Sequence, residues 1–330
     1  MSMATVRCNV MRSRRFVFAV LVMMPFAGIQ MPGSECAAQR SRLQIPDPEV
    51  VTLETKDGCV LQCTFYPGGF LNDPKKKQVT KVPGKEVAPI IMLHGWKGQR
   101  SELDRLAHYL QMLGHAVIVP DLRGHGGSTR HRFSDRPIEL KRPDYSMSRD
   151  VDAVKKFLME RNNEGELNIE LLTIVGADLG AILAVNWAAQ DWSWPQLPSF
   201  KQGRDVKALV LLSPKSAVMG MTLNKALQHP AVMQGLSIFI AVGKRDRAAY
   251  TDATKTFSRL ERARSNSTEG KESLKLIEPD TSLSGTKLLT ARGIGNQVSY
   301  EIAAFIYRRI VSKKSDFKWT KRENPLAPSE

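Results

Sequence analysis

Apolar positions recur along the chain in two periods, and from residue 88 onward the two alternate. Val50 to Thr55 and Cys59 to Tyr66 read as strands joined by Asp57-Gly58, a tight hairpin signal. A loop rich in lysine, glycine and proline, residues 67–85, leads to the short apolar run Ala88 to Leu93, a buried strand that ends at His94-Gly95. Ser101 with Asp104 forms a capping box, and Leu103, Leu106, Ala107, Leu110 and Leu113 then share one helical face until Gly114 stops the helix. Ala116 to Val119 is the next strand. A glycine-rich and then basic loop, residues 120–146, hands over to a helix that carries Val151, Val154 and Leu158 on one face.

The run Leu171 to Val175 is again a strand, Gly176 to Gly180 a sharp turn, and residues 180–190 a helix. Val206 to Leu212 and Ser237 to Val242 are further strands. The segment between them carries Met219, Met221 and Met233 and is long enough for a small lid of one or two helices. Tyr250, Ala253, Phe257 and Leu260 mark a helix, Leu274 to Ile277 a last strand, and Val298, Ile302, Phe305, Ile306 and Ile310 a final helix. Strands that alternate with helices predict an α/β fold: a mainly parallel sheet of about eight strands, with helices on both faces. The chain divides into residues 1–38, a domain over 39–311, and a basic, mobile tail over 312–330.

The amino-terminal segment stands apart. Arg7, Arg12, Arg14 and Arg15 precede the apolar run Phe16 to Ile29, and Cys36, Ala37 and Ala38 follow, which is the layout of a signal peptide cleaved near Ala38. The run is 14 residues long and contains Pro25, too short to cross a bilayer, where about 20 are needed. The protein is therefore expected to be exported, in the periplasm, outside the cell or on the envelope. Of the 4 cysteines, Cys59 and Cys63 lie within one strand. Their backbones would be roughly 13 Å apart, beyond disulfide reach, so buried core thiols are expected. The formal charge of +15 favours anionic surfaces, such as an acidic envelope. No nucleic-acid-binding signature accompanies it, so no nucleic acid is expected as a partner.

In a parallel sheet, ligands sit beyond the carboxyl ends of the strands. The sequences there are His94-Gly95-Trp96-Lys97-Gly98, Asp121 to Ser128 (Asp-Leu-Arg-Gly-His-Gly-Gly-Ser), Gly176-Ala177-Asp178-Leu179-Gly180 and Gly243-Lys244-Arg245-Asp246. Together, in this order, they resemble the α/β-hydrolase superfamily, most closely its small-lid esterase and dienelactone-hydrolase-like members, over residues 50–311. The resemblance implies that Asp178 stands at the nucleophile elbow, where many hydrolases carry serine. It implies an oxyanion hole at the backbone N–H groups of Trp96 and Leu179, an acid at Asp246, and a base position filled by Ser284. All 6 histidines lie at or before His229, so none follows the last strand.

These substitutions suggest a pseudoenzyme: an exported α/β-hydrolase-fold protein, catalytically degenerate and retained for binding or scaffolding. Asp178 would then act as a stabilising plug in the oxyanion hole, drawn there by the helix dipole. One alternative is an active hydrolase that uses Asp178 as nucleophile or base on an ester, epoxide or halide, with His94 or His125 as a substitute base. The other is a basic envelope-associated protein whose pocket is irrelevant. No cofactor or metal is expected. The partners expected are a small molecule or acyl ligand in the pocket, walled by the 130–146 loop, the lid and Trp192 or Trp194, and an anionic envelope surface. Ser128 and Ser213, also near strand ends, are expected to make loop hydrogen bonds.

Overall fold

The computed structural model describes residues 43–73, 78–198 and 201–322, and the expected leader over 1–38 lies outside them. The main sheet is built from β1 (Glu49–Glu54), β2 (Cys59–Tyr66), β3 (Pro89–Leu93), β4 (Ala116–Pro120), β5 (Leu172–Ala177), β6 (Val206–Leu212), β7 (Ser237–Ala241) and β8 (Leu274–Ile277). Their spatial order is β1-β2-β4-β3-β5-β6-β7-β8. The hairpin β1-β2 and the pair β2-β4 are antiparallel, and every later pairing is parallel. A two-residue strand at Arg130–His131 adds to β2.

Among the described residues, the five longest helices cover the sheet: α1 (Asp104–Met112), α2 (Ser148–Asn163), α3 (Leu179–Ser193), α4 (Arg247–Ala263) and α5 (Gly295–Arg309). Both faces of the central strands are dry, which is why they read as unbroken apolar runs. Within β3, Ile91 and Leu93 join the core under α2, α3 and α4, whereas Ile90 and Met92 join the core under α1 and α5. Among the described residues, no helix is long and apolar enough to cross a membrane. Cys59 and Cys63 are free and buried, and burial pushes the Cys59 thiol up to about 12 and that of Cys63 higher still.

Four expectations change. The loop over 67–85 contains a hairpin, Phe70–Asp73 with Gln78–Lys81. Ser101 does not cap α1; it sits in a 3-10 turn, and Asp104 accepts a hydrogen bond from the Tyr66 hydroxyl at 2.9 Å. The lid of one or two helices is reduced to single turns: residues 213–236 form a hairpin of two-residue strands, a 3-10 turn and one turn of π-helix, packed on α3. The tail is not free over its described part. Asn162 and Asn168 donate to the carbonyls of Thr320 and Phe317, both at 3.0 Å, and Arg322 is buried.

His115, just before β4, is buried, and desolvation pushes its imidazole down to about 4. The unfolded chain takes up this proton near pH 6.5, so stability present above that pH is lost as pH falls toward 4. Between pH 7 and 4.5 this one group should remove roughly 2–3 kcal/mol. Denaturant melts should therefore show a smaller acid loss in His115→Gln than in the parent; equal losses would refute the assignment.

Candidate functional site

The turn after β5 explains its own glycines. Asp178 is held at φ 51° and ψ −110° before α3 begins at Leu179. A Cβ on Gly176 would lie 2.3 Å from the Gly180 carbonyl oxygen, and one on Gly180 would lie 2.3 Å from that of Leu93. No side chain fits either gap, so the turn closes only with glycine on both sides. A non-glycine residue in this backbone region costs on the order of 1–3 kcal/mol and projects its side chain outward.

The loop after β3 passes directly beside it. A Cβ on Gly95 would lie 3.2 Å from the Asp178 Cβ. The Trp96 and Leu179 N–H groups have no acceptor among the described residues. They remain open donors, as an oxyanion hole requires.

His94 fixes this loop from below. Its Nδ1 lies 2.7 Å from the Gly95 carbonyl, and its Nε2 accepts from the Leu122 N–H at 3.0 Å. Both ring nitrogens are occupied, and burial holds the imidazole below its ordinary value. His94 is therefore a structural, neutral imidazole rather than a substitute base. His125 donates to the Arg123 carbonyl at 2.9 Å through Nδ1 and packs edge-on against Trp96, with ring centres 4.8 Å apart.

The loop after β4 is a closed ring. Asp121 accepts from the N–H groups of Arg100 and Gly127 at 2.7 and 2.8 Å and pairs with the Arg100 guanidinium. Ser128 Oγ donates to the Asp121 carbonyl, a loop bond as expected.

Ser213 ends β6 at φ 49°, fully buried, and its Oγ accepts from the Gly285 N–H at 2.9 Å. That bond draws the Ser284-Gly285 segment against the elbow, where a Cβ on Gly285 would lie 3.8 Å from the Asp178 Cβ. Thr286 donates to Glu102 at 2.7 Å, which ties the same segment to the loop after β3. The loop after β7 joins it too: the Lys244 and Arg245 N–H groups donate to the carbonyls of Pro279 and Thr281. Asp246 caps α4, accepting from the Ala249 N–H at 3.3 Å, and its other carboxylate oxygen is buried without a hydrogen-bond partner. The loops of Asp178, Asp246 and Ser284 are thus laced together, although no hydrogen bond joins the three side chains among the described residues.

The Asp178 carboxylate does not plug the oxyanion hole. It makes no capping bond to α3; its Oδ1 lies 2.7 Å from Lys215 Nζ. A full charge in contact outweighs the half-charge of a helix end. The contact itself is that of an ion pair, since Oδ1 receives no well-aligned hydrogen bond. With both side chains partly exposed, it is worth on the order of 1 kcal/mol. Lys215 is the residue that sequence reasoning missed. The only signal was a lysine just beyond the apolar run of β6, the strand next to β5.

Chemically, the site offers a carboxylate matched to an ammonium, which can donate but not accept a proton, and two open N–H donors. The backbone strain gives a measurable consequence. Asp178→Gly should raise stability by about 1 kcal/mol, strain relief exceeding the lost ion pair, whereas Asp178→Asn should not. Thermal melts decide it; a destabilised Asp178→Gly would contradict the strain.

The pattern of the alpha/beta hydrolase fold family matches residues 88–286. No curated protein matches the chain. Among solved structures it is similar to an esterase from Pyrobaculum calidifontis (TM-score 0.56, 13% identity, 81% of this chain and 87% of that one). It is similar to a dienelactone hydrolase from Anabaena variabilis (0.53, 14%, 81% and 100%). A soluble variant of monoglyceride lipase from Saccharomyces cerevisiae matches as well (0.55, 12%, 82% and 98%). At these identities the likeness is one of fold, and it agrees with the strand order and the elbow. The chain belongs to the α/β-hydrolase fold family.

Proposed function

We propose that this protein is an exported, catalytically degenerate member of its family, which holds a small-molecule or acyl ligand at the elbow without turning it over. The observation that carries the reading is the Asp178–Lys215 ion pair at the elbow. A carboxylate held by an ammonium is a poorer nucleophile, and it occupies the position from which a serine hydroxyl would attack.

No histidine follows the last strand to act as a base. Even if Asp178 formed an ester, its release needs an activated water, and general-base help is typically worth about 10²–10⁴-fold. Ser284 has no proton-accepting nitrogen, and both nitrogens of His94 are committed. The open Trp96 and Leu179 N–H groups then serve as ligand donors. The basic surface favours residence at an anionic envelope.

The test is a turnover panel of short p-nitrophenyl esters and haloacids with the purified protein and Asp178→Asn. The expected result is no turnover above that of the variant. Turnover that Asp178→Asn abolishes would establish a working Asp178-dependent hydrolase instead.

A further inference from the structure

The fold has a second concave surface, at the amino ends of β3 and β4, whereas the elbow follows the carboxyl end of β5. It is a cavity of about 710 Å³ bounded by α1, α5 and the hairpin strands at Leu71 and Lys81, with Ala88 and Gly114-His115 at its base. Those residues precede β3 and β4, whereas Asp178 follows the carboxyl end of β5, so the two sites are separate. The volume falls within the range of small-molecule sites, roughly 300–1,000 Å³.

One stripe of α5 makes the wall. Tyr300, Ala303, Ala304 and Tyr307 recur at helical spacing on the cavity side. The two alanines leave a notch between two tyrosines that are 62% and 60% exposed. Leu113 and Val82 line the facing side. Exposed aromatic rings beside an apolar notch mark a binding surface rather than ordinary solvent-facing helix.

The charges sit only at the rim. Lys81, Arg308, Lys314 and Glu86 stand there, and Lys314 pairs with Glu86. Lys81 and Arg308 have no ion-pair partner among the described residues. The floor carries no charge at neutral pH, because burial holds His115 neutral. An apolar trough with two uncompensated cations at its mouth is complementary to a molecule with an apolar chain and one anionic end.

We propose that this groove binds a single-chain amphipathic anion, an alkyl carboxylate, with its chain along the Tyr300–Tyr307 stripe and its head group at Lys81 and Arg308.

Calorimetric titration of the full chain with decanoate tests it, with decyltrimethylammonium as the cationic control. Decanoate should bind, and the control at least tenfold more weakly. Ala304→Trp, which fills the notch, and Arg308→Glu, an exposed change that spares the fold, should each weaken decanoate binding tenfold or more. Lys225→Glu, an exposed change outside both the groove and the elbow, should leave it unchanged, and the outcome is independent of whether the elbow turns over. Equal binding of both surfactants, or decanoate binding that survives Ala304→Trp and Arg308→Glu, would overturn the proposal. So would loss on Asp178→Asn, which would move the ligand to the elbow. A concentration-dependent dimer broken by Tyr307→Glu would show that a second copy is the occupant instead.

Discussion

Asp178→Ser combined with Ser284→His should produce an esterase whose hydrolysis of p-nitrophenyl butyrate exceeds that of the parent and of either single variant by about 10²–10⁴-fold. The expectation rests on what the site retains. The turn that would present the new hydroxyl is fixed by Gly176 and Gly180, whose neighbours leave no room for change. The Trp96 and Leu179 N–H groups remain open to stabilise an oxyanion. The segment that would carry the imidazole is held to the elbow by the Ser213–Gly285 bond. Asp246 keeps one buried carboxylate oxygen without a partner, as needed to orient a histidine. Removing Asp178 also frees Lys215, so Lys215→Met added to the pair should not reduce the rate. Folded double variant with no gain over the singles would show that Ser284 does not occupy the base position.

Arg322→Ala should destabilise the protein by about 3 kcal/mol, the lower end of the cost of breaking a buried ion pair. Its side chain is 2% exposed and pairs with both Glu170 and Asp205. Its backbone N–H donates to Asn163 at 2.7 Å. The loss stays at the lower end because Lys155 still holds Asp205 at 2.7 Å. Burial alone would raise the Asp205 carboxyl, but Lys155 and Arg322 outweigh it and hold it below its ordinary value. A lowered carboxyl gives stability that is present above about pH 4 and is lost as pH falls through the folded-state value. Urea melts at pH 7 should show the full effect of Arg322→Ala, and a much smaller one once Asp205 is protonated. A variant as stable as the parent at pH 7 would mean that the segment 317–322 contributes nothing.

The elements that the sequence announced are those whose local pattern has a single physical cause. β3 to β7 are dry on both faces and therefore continuous apolar runs, and the elbow glycines are demanded by backbone atoms 2.3 Å away. The missed features depend on partners distant in sequence. Lys215 matters because β6 lies beside β5 and delivers an ammonium to Asp178. A lysine after a strand has no spacing rule that foretells this. The strap over 317–322 is rich in charge and reads as a tail; only its docking on Asn162, Asn163, Asn168, Glu170 and Asp205 holds it and buries Arg322. The hairpin Phe70–Asp73 with Gln78–Lys81 hid within a lysine-rich stretch whose strands bury no residue fully. The expectation that Asp178 would turn to the helix end failed for the same reason as Lys215 was missed, because the competing charge was invisible in sequence.

In the proposed degenerate protein, Asp178 is a bound carboxylate and not a nucleophile. Intact-mass measurement after prolonged incubation with a reactive epoxide or haloalkane tests it most directly, because without a base any ester formed on Asp178 would accumulate. The unmodified mass is expected for both the parent and Asp178→Asn. A stoichiometric adduct mapped to Asp178 in the parent and absent from Asp178→Asn would contradict it.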